Sequence, residues 1–227
     1  VFPPPNRPQN DEGPWLPMYL SATRSITGRG RNPKALARWT AVSLLVLAAA
    51  AWLAWMELSA ARERRYDPQI LESARRNGVD PCLLKALIWR ESRFNPNARG
   101  RKGEFGLTQL LERGAVADWT RRTRRQILSK GACFNPALNI EIGAWYLGQA
   151  VRRWGDYAFR DALALAQYNA GPTAAKRWAP SDLAADPVGR IDFPETRRYV
   201  QAILDRRGRY QRQGFGSSAV KKGFFSL

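Results

Sequence analysis

A mainly α-helical protein, with one compact helical domain behind a single N-terminal transmembrane helix, is the architecture this sequence predicts. Three observations carry that expectation. From Tyr66 onward, apolar residues recur at spacings of three and four, the period of one helix face. No stretch of useful length alternates apolar and polar residues with the period of two that a half-buried strand requires. Upstream, Trp39–Met56 holds no charged residue and is dominated by Ala, Leu, Val and Trp.

Residues 1–38 read as a disordered basic segment, because the first 17 are rich in Pro and Asn and lack apolar periodicity. The chain opens on Val1, and Met18 is an alternative candidate start. Residues 39–58 form the expected membrane anchor. At about 1.5 Å per residue the uncharged run nearly crosses a hydrocarbon core of roughly 30 Å. Trp39 at one end and Trp52 and Trp55 near the other suit interfacial anchors. Arg29, Arg31, Lys34 and Arg38 precede the run, and Arg62, Arg64 and Arg65 follow it, so charge alone orients it weakly. A cleaved signal sequence and a buried soluble helix are the competing readings. Residues 59–65 read as a basic linker.

The domain is expected over residues 66–207. Pro68–Arg76 is a short helix that Asn77-Gly78 ends. Asp80 and Pro81 start the next, as N-cap and first helical residue, and it runs to Arg93. Residues 94–106 are loop. Helices follow at Gln109–Trp119 and Arg124–Ser129. Asn135-Pro136 opens a long one that carries Ile140, Ala144, Leu147, Val151 and Trp154 on one face. Ala158–Tyr168 is helical until Gly171-Pro172. Asp192 is the expected cap of a last helix from Pro194, with Tyr199, Ala202 and Ile203 inward. Residues 208–227 read as a basic, mobile tail.

Composition narrows the chemistry. The chain of 227 residues has 37 Lys+Arg against 19 Asp+Glu and no histidine, so Ser-His-Asp triads, Cys-His pairs and His-ligated zinc are excluded. No metal site or cofactor is expected. The formal charge of +18 implies anionic surroundings: nucleic acid, lipid headgroups or wall polymers. No nucleic-acid-binding fingerprint accompanies it, and the densest basic run, Arg121-Arg122 with Arg124-Arg125, reads as a solvated helix face. Cys82 and Cys133 are compatible with one bridge or with two buried thiols.

The candidate general acid is Glu91. Leu84, Leu87, Ile88 and Glu91 share the i, i+3, i+4, i+7 stripe, so this carboxylate ends a core-facing row before the Asn95-Pro96 turn. Partial burial and the negative end of the helix dipole both disfavour its charged form and raise its pKa. A last-turn glutamate that points into water fits the local pattern equally well. Further along, Gln167-Tyr168-Asn169-Ala170-Gly171 groups a hydroxyl and a carboxamide at a helix end, where a routine Gly171 cap is the plainer reading. Glu195 lies in a first helical turn, where complementing the dipole suffices to explain it.

Taken together and in this order, the segments resemble the soluble-lytic-transglycosylase family of peptidoglycan-cleaving enzymes, related to goose-type lysozymes. The resemblance spans roughly Tyr66 to Leu204. It rests on Glu91-Ser92 with Asn95-Pro96, on Gly106-Leu107-x-Gln109, and on Asn135-Pro136 and Asn139-Ile140 running to Gly143 and Tyr146-Leu147. Tyr168-Asn169-Ala170-Gly171 and Glu195-Thr196 with Tyr199-Val200 complete it. It implies a lysozyme-like (goose-type) helical domain with a sugar groove. It also implies non-hydrolytic cleavage of the β-1,4 bond between N-acetylmuramic acid and N-acetylglucosamine, leaving 1,6-anhydro ends. Glu91 would serve as the single acid/base and Tyr168 would help to orient it. Ser92, Thr108, Gln109, Tyr168, Asn169 and Glu195 would contact substrate.

The expected partners are glycan strands of peptidoglycan, the cytoplasmic membrane through the anchor, and proteins of an envelope assembly. The catalytic domain is expected on the periplasmic side, with no role for nucleic acid. Three positions depart from the family pattern: Thr108 replaces a methionine, Gly100 a serine, and Leu111-Glu112 stands where a proline is usual. Two other functions remain open. A hydrolytic muramidase would use Glu104 or Glu195 to position water. A silent peptidoglycan-binding module would need no acid at all.

Overall fold

The computed structural model describes residues 33–127 and 129–217. The expectations for residues 1–32 and 218–227 lie outside the described residues. The chain divides into two compact units, residues 1–52 and 53–227. In the first, α1 begins; it spans Pro33–Arg64 as one unbroken helix. Its apolar residues Trp39, Leu44, Leu45, Leu47 and Trp52 are exposed. It is long and apolar enough to be a candidate membrane span.

In the second unit the helices are α2 (Asp67–Asn77), α3 (Pro81–Ser92), α4 (Ala117–Thr123), α5 (Pro136–Arg153), α6 (Arg160–Ala170), α7 (Pro172–Trp178) and α8 (Pro194–Arg212). Among the described residues, β structure is limited to isolated bridges that pair Phe105 with Arg99 and Leu110. The expected starts are built as their chemistry requires. Asp80 accepts from the Cys82 amide (2.8 Å), and Asn135 accepts from the Ala137 and Leu138 amides. Gly78 closes α2 in the left-handed conformation, φ 65°.

α6 is the central helix. Ala162, Leu163, Ala164, Leu165 and Ala166 are all buried, because alanine's small side chain lets α5, α7 and α8 close around it. α3 packs between α2 and α8, burying Leu83, Leu84, Leu87 and Ile88. A second, smaller cluster gathers Phe105, Leu110, Val116, Trp119, Cys133 and Ile142. Cys82 belongs to the main core and Cys133 to this satellite. Both are free thiols, so the bridge left open by the sequence is not formed.

Several boundaries differ from the expectations. No helix starts at Gln109: its φ of 48° and the Phe105–Leu110 backbone pair keep residues 105–110 in a tight loop. A π-type turn at Glu112–Val116 follows, distorted at Gly114, before α4. Arg124 takes a left-handed conformation that ends α4, and the next short turn is a 3-10 helix at Lys130–Phe134, not a helix from Arg124. α7 begins immediately at Pro172, so Gly171-Pro172 ends one helix and starts another.

Asp192 does not cap α8. Its carboxylate instead accepts from Trp178 Nε1 (2.7 Å) and Arg177. The linker expected at residues 59–65 is helical as far as Arg64, and Glu63 pairs with Arg206 and accepts from Tyr210 Oη (3.1 Å). No tail begins at residue 208. α8 runs to Arg212, Tyr210 is buried, and the Phe215 ring lies 4.1 Å from Lys85 Nζ.

Candidate active site

α3 and α8 hold the Glu91 carboxyl between them. Glu91 occupies the last turn of α3, one helical turn beyond the fully buried Leu87 and Ile88, and is itself only partly exposed. Its Oε1 accepts a short hydrogen bond from Tyr199 Oη (2.5 Å), which α8 holds in the core with only 3% of its surface exposed. The carboxyl pKa is pushed up to about 7. Burial is the main cause and the Glu104 charge adds to it, while the Tyr199 hydrogen bond and the Arg90 charge oppose it. Such a group holds a proton and can give it up near neutral pH, the condition for acid and base work by one side chain.

Tyr199 was expected as an inward residue of a helix that completes the resemblance, with no role of its own, and a role beside Glu91 was expected for Tyr168. Tyr168 lies close enough for the Glu91 charge to raise its pKa further, after burial. Its hydroxyl, however, donates to the Thr108 carbonyl (2.9 Å), not to Glu91.

The loop over residues 98–110 is organised by Asn139 of α5. Asn139 Oδ1 accepts from the Thr108 amide (2.8 Å) and from Thr108 Oγ1 (2.9 Å). Its Nδ2 donates to the carbonyls of Phe105 (3.2 Å) and Cys133 (3.0 Å). Every bonding position of this buried carboxamide is used. Two glycines make room for the arrangement. A Cβ on Gly106, which has φ 79°, would lie 2.1 Å from Asn139 Nδ2, and one on Gly143 would lie 2.5 Å from Thr108 Oγ1.

Thr108 is therefore completely buried, and this corrects the expectation of a sugar-facing side chain: its hydroxyl is spent on Asn139. Gln109 stays near the surface. Both its amide hydrogens are used inside the loop, on the Ala98 (3.2 Å) and Gly106 (2.9 Å) carbonyls, and Oε1 lies beside Gly100. Ser92 Oγ turns back to the Ile88 carbonyl (3.2 Å) of its own helix. At Gly100 the missing side chain has a local reason. A Cβ there would fall 2.3 Å from Glu104 Oε2 and 2.9 Å from Gln109 Oε1, so the Glu104 carboxylate occupies that space.

A groove of about 1060 Å³ opens beside the acid, lined by residues that include Arg90, Lys102, Asn169, Glu195, Arg198 and Tyr199. Glu91 is not part of the groove wall. It meets the groove through its partner Tyr199 and its neighbour Arg90. Asn169 Oδ1 accepts from Thr196 Oγ1 (2.8 Å), which joins the end of α6 to the start of α8 and leaves the Asn169 amide hydrogens for a ligand. Glu195 is exposed on the groove wall. The structure thus brings Asn169 and Glu195 to one groove and joins the half-buried Tyr168 to the buried Thr108 beside Asn139. Among the described residues, no group of acidic or thiol side chains is arranged to hold a metal ion.

The site is thus a single carboxyl raised to about 7, on a helical domain beside an open groove. Residues 68–187 match the family described as the transglycosylase SLT domain, and the chain belongs to that family. It is similar to membrane-bound lytic murein transglycosylase C of Klebsiella pneumoniae, 26% identical over 172 residues that cover 67% of this chain and 48% of that one. The protein of the same name from Histophilus somni is 33% identical over 144 residues, covering 60% and 39%. Among solved structures, an inactive mutant of the lytic transglycosylase Slt from Pseudomonas aeruginosa superimposes with a TM-score of 0.57 at 30% identity. That match covers 64% of this chain and 24% of that one. The chain therefore spans about half the length of the Klebsiella relative and a quarter of the solved structure.

Proposed function

We propose that this protein is a peptidoglycan lytic transglycosylase, held at the cytoplasmic membrane by α1 with its helical domain on the periplasmic side. The observation that carries the reading is the Glu91–Tyr199 pair: one carboxyl, raised to about 7, fixed at the edge of a groove in a transglycosylase SLT domain. In this reading protonated Glu91 gives its proton to the glycosidic oxygen between N-acetylmuramic acid and N-acetylglucosamine. The substrate's own N-acetyl oxygen supports the cationic anomeric carbon. The carboxylate then takes the proton of the muramic 6-hydroxyl as that oxygen closes on the anomeric carbon, which yields a 1,6-anhydro end and restores the acid. One carboxylate suffices because the substrate supplies the nucleophile, whereas hydrolytic glycosidases ordinarily need two.

Tyr199 holds Glu91 in place, and Asn169, Gln109 Oε1 and Glu195 are the side chains available to sugar amides and hydroxyls. The membrane assignment draws on the length and apolarity of α1, on its exposed tryptophans and on a membrane-bound relative. Proteins of an envelope assembly remain candidate partners.

A hydrolytic variant of the reaction has one point in its favour, the Glu104 charge felt by Glu91. Mass spectrometry of the fragments that the full chain releases from peptidoglycan separates the two. Anhydro-muramic ends, absent with Glu91→Gln, are expected. Reducing ends would replace this reading with hydrolysis assisted by Glu104.

A further inference from the structure

α1 does not stop where its apolar run does. The run ends at Met56, and the helix continues unbroken to Arg64. At about 1.5 Å per residue, Glu63 lies roughly 10 Å beyond Met56. There the helix is fastened to α8. Glu63 pairs with Arg206 through one carboxylate oxygen and accepts from Tyr210 Oη (3.1 Å) through the other. Arg206 in turn lies over the Trp89 ring of α3, 4.7 Å from its centroid, and Arg93 stacks on the same ring at 3.6 Å. The end of α1 is thus tied to the seam between α3 and α8, and all of these residues belong to the second compact unit.

Headgroup layers add roughly 5–8 Å to each side of a hydrocarbon core. A domain fastened so soon after an apolar run has its adjoining surface at that level. Arg62, Arg64, Arg65 and Arg93 are all exposed there, and among the described residues none forms a salt bridge. Elsewhere on the domain exposed arginines do find carboxylates, as Arg76 does with Glu72 and Glu141 and Arg177 with Asp192. Against these four stands one exposed carboxylate on the same stretch of α1, Glu57, since Glu63 is engaged by Arg206. A guanidinium stacked on an indole keeps its N–H groups free for phosphate oxygens, which suits Arg93. Trp89 and Glu91 point about 200° apart around α3, so contact on the Trp89 side leaves the Glu91 side open.

We propose that this face docks on the anionic phospholipid surface of the membrane that α1 spans, with Arg93 on Trp89 as a lipid-phosphate contact and Glu63–Arg206 as the latch that brings it there. The inference rests on α1 being a membrane span. Docking holds the last turn of α3, which carries Glu91, close to the bilayer. An arginine near an anionic surface gains roughly five-fold in association, and the gain fades beyond a Debye length of about 8 Å at physiological salt.

The test places the full chain in nanodiscs of phosphatidylcholine, alone or mixed with phosphatidylglycerol. Mass spectrometry then reads how fast phenylglyoxal modifies each arginine. Arg93 should react roughly five-fold more slowly in the anionic discs, and high salt should erase the difference. Arg122, Arg124 and Arg125, exposed on and after α4, should react alike in both. In Glu63→Gln the protection of Arg93 should fall toward none, while Arg62 and Arg64, carried by α1 itself, stay protected. The salt dependence is read on the native chain and does not require the variant to fold.

Equal protection of the α4 arginines would overturn the proposal, since the domain would then adsorb by charge at large. Protection of Arg93 by soluble glycerol phosphate, as strong as by anionic discs, would overturn it too. Arg93 protection that survives Glu63→Gln would overturn the latch. A chain that enters neither disc would remove α1 as a span and the docking with it. Entry into both discs with equal Arg93 rates would remove the docking alone.

Discussion

The Glu91–Tyr199 pair and the Thr108–Asn139–Tyr168 cluster both bury polar groups in the same domain, and they are built in opposite ways. In the second, each donor has a neutral acceptor. Asn139 uses all its positions, Thr108 bonds through amide, hydroxyl and carbonyl, and none of the three residues needs a charge. That arrangement is a buried network made safe by complete satisfaction. In the first, a titratable carboxyl receives a single side-chain hydrogen bond and is left with its ionisation opposed by burial. The satisfied cluster fixes the loop, and the under-satisfied pair stores reactivity. In the proposed mechanism the satisfied network supports the loop, while the incompletely stabilised Glu91 carboxyl would carry the proton.

Glu91→Gln should test the comparison most severely. A general acid contributes about 10²–10⁴-fold, so activity should fall by at least that range while glycan binding persists, measured by turnover and by calorimetry. The same substitution should increase stability. The Glu91 carboxyl ionises near 4.5 when unfolded and near 7 when folded, so the native state holds this proton more tightly. Its stabilising effect is complete below about 4.5 and is lost as pH rises through 7. Denaturant unfolding at pH 8 should find the variant more stable by up to about 3 kcal/mol, and at pH 4 the difference should vanish. Asn139→Ala should do the reverse. It strands the Thr108 amide and two carbonyls, and should cost about 2–4 kcal/mol of stability at every pH.

Smaller effects sharpen the division. Tyr199→Phe removes the one side-chain hydrogen bond that favours the Glu91 carboxylate, so the pH at which activity declines should move upward. kcat should fall roughly ten-fold as orientation is lost. Glu104→Gln removes a like charge and should move that limb downward, with a loss of about two- to five-fold at pH 7 in the pH–rate profile. Tyr168→Phe should cost about 1 kcal/mol of stability, from the unpaired Thr108 carbonyl, and leave the limb where it was.

Much of this was legible in the sequence where chemistry is local. Asp80-Pro81 and Asn135-Pro136 start helices because cap and proline act within one turn, and the Leu84–Leu87–Ile88–Glu91 stripe already placed the acid at the edge of the core. The Tyr199 role was not legible, since it depends on α8 lying against α3 across 108 residues of chain. Its inward position and its place in the family motif were visible, but not its contact with Glu91. Thr108 was expected to contact substrate because the resemblance puts its loop position on the sugar-facing surface. What turns it inward is Asn139, 31 residues away, and the bare face of Gly143. The Gln109–Trp119 helix failed for a similar reason: the loop is held by its own paired backbone and by Asn139, which overrides helix propensity. The early end expected for α8 came from a basic, glycine-containing composition that hides the buried Tyr210 and the ring of Phe215.

The most direct test of the central claim is the pH profile of kcat/KM for the native chain and Tyr199→Phe on soluble muropeptide. If Glu91 is the acid held by Tyr199, activity falls with an apparent pKa near 7 and the variant's limb lies higher. A limb near 4.5, or one that Tyr199→Phe leaves unmoved, would contradict it.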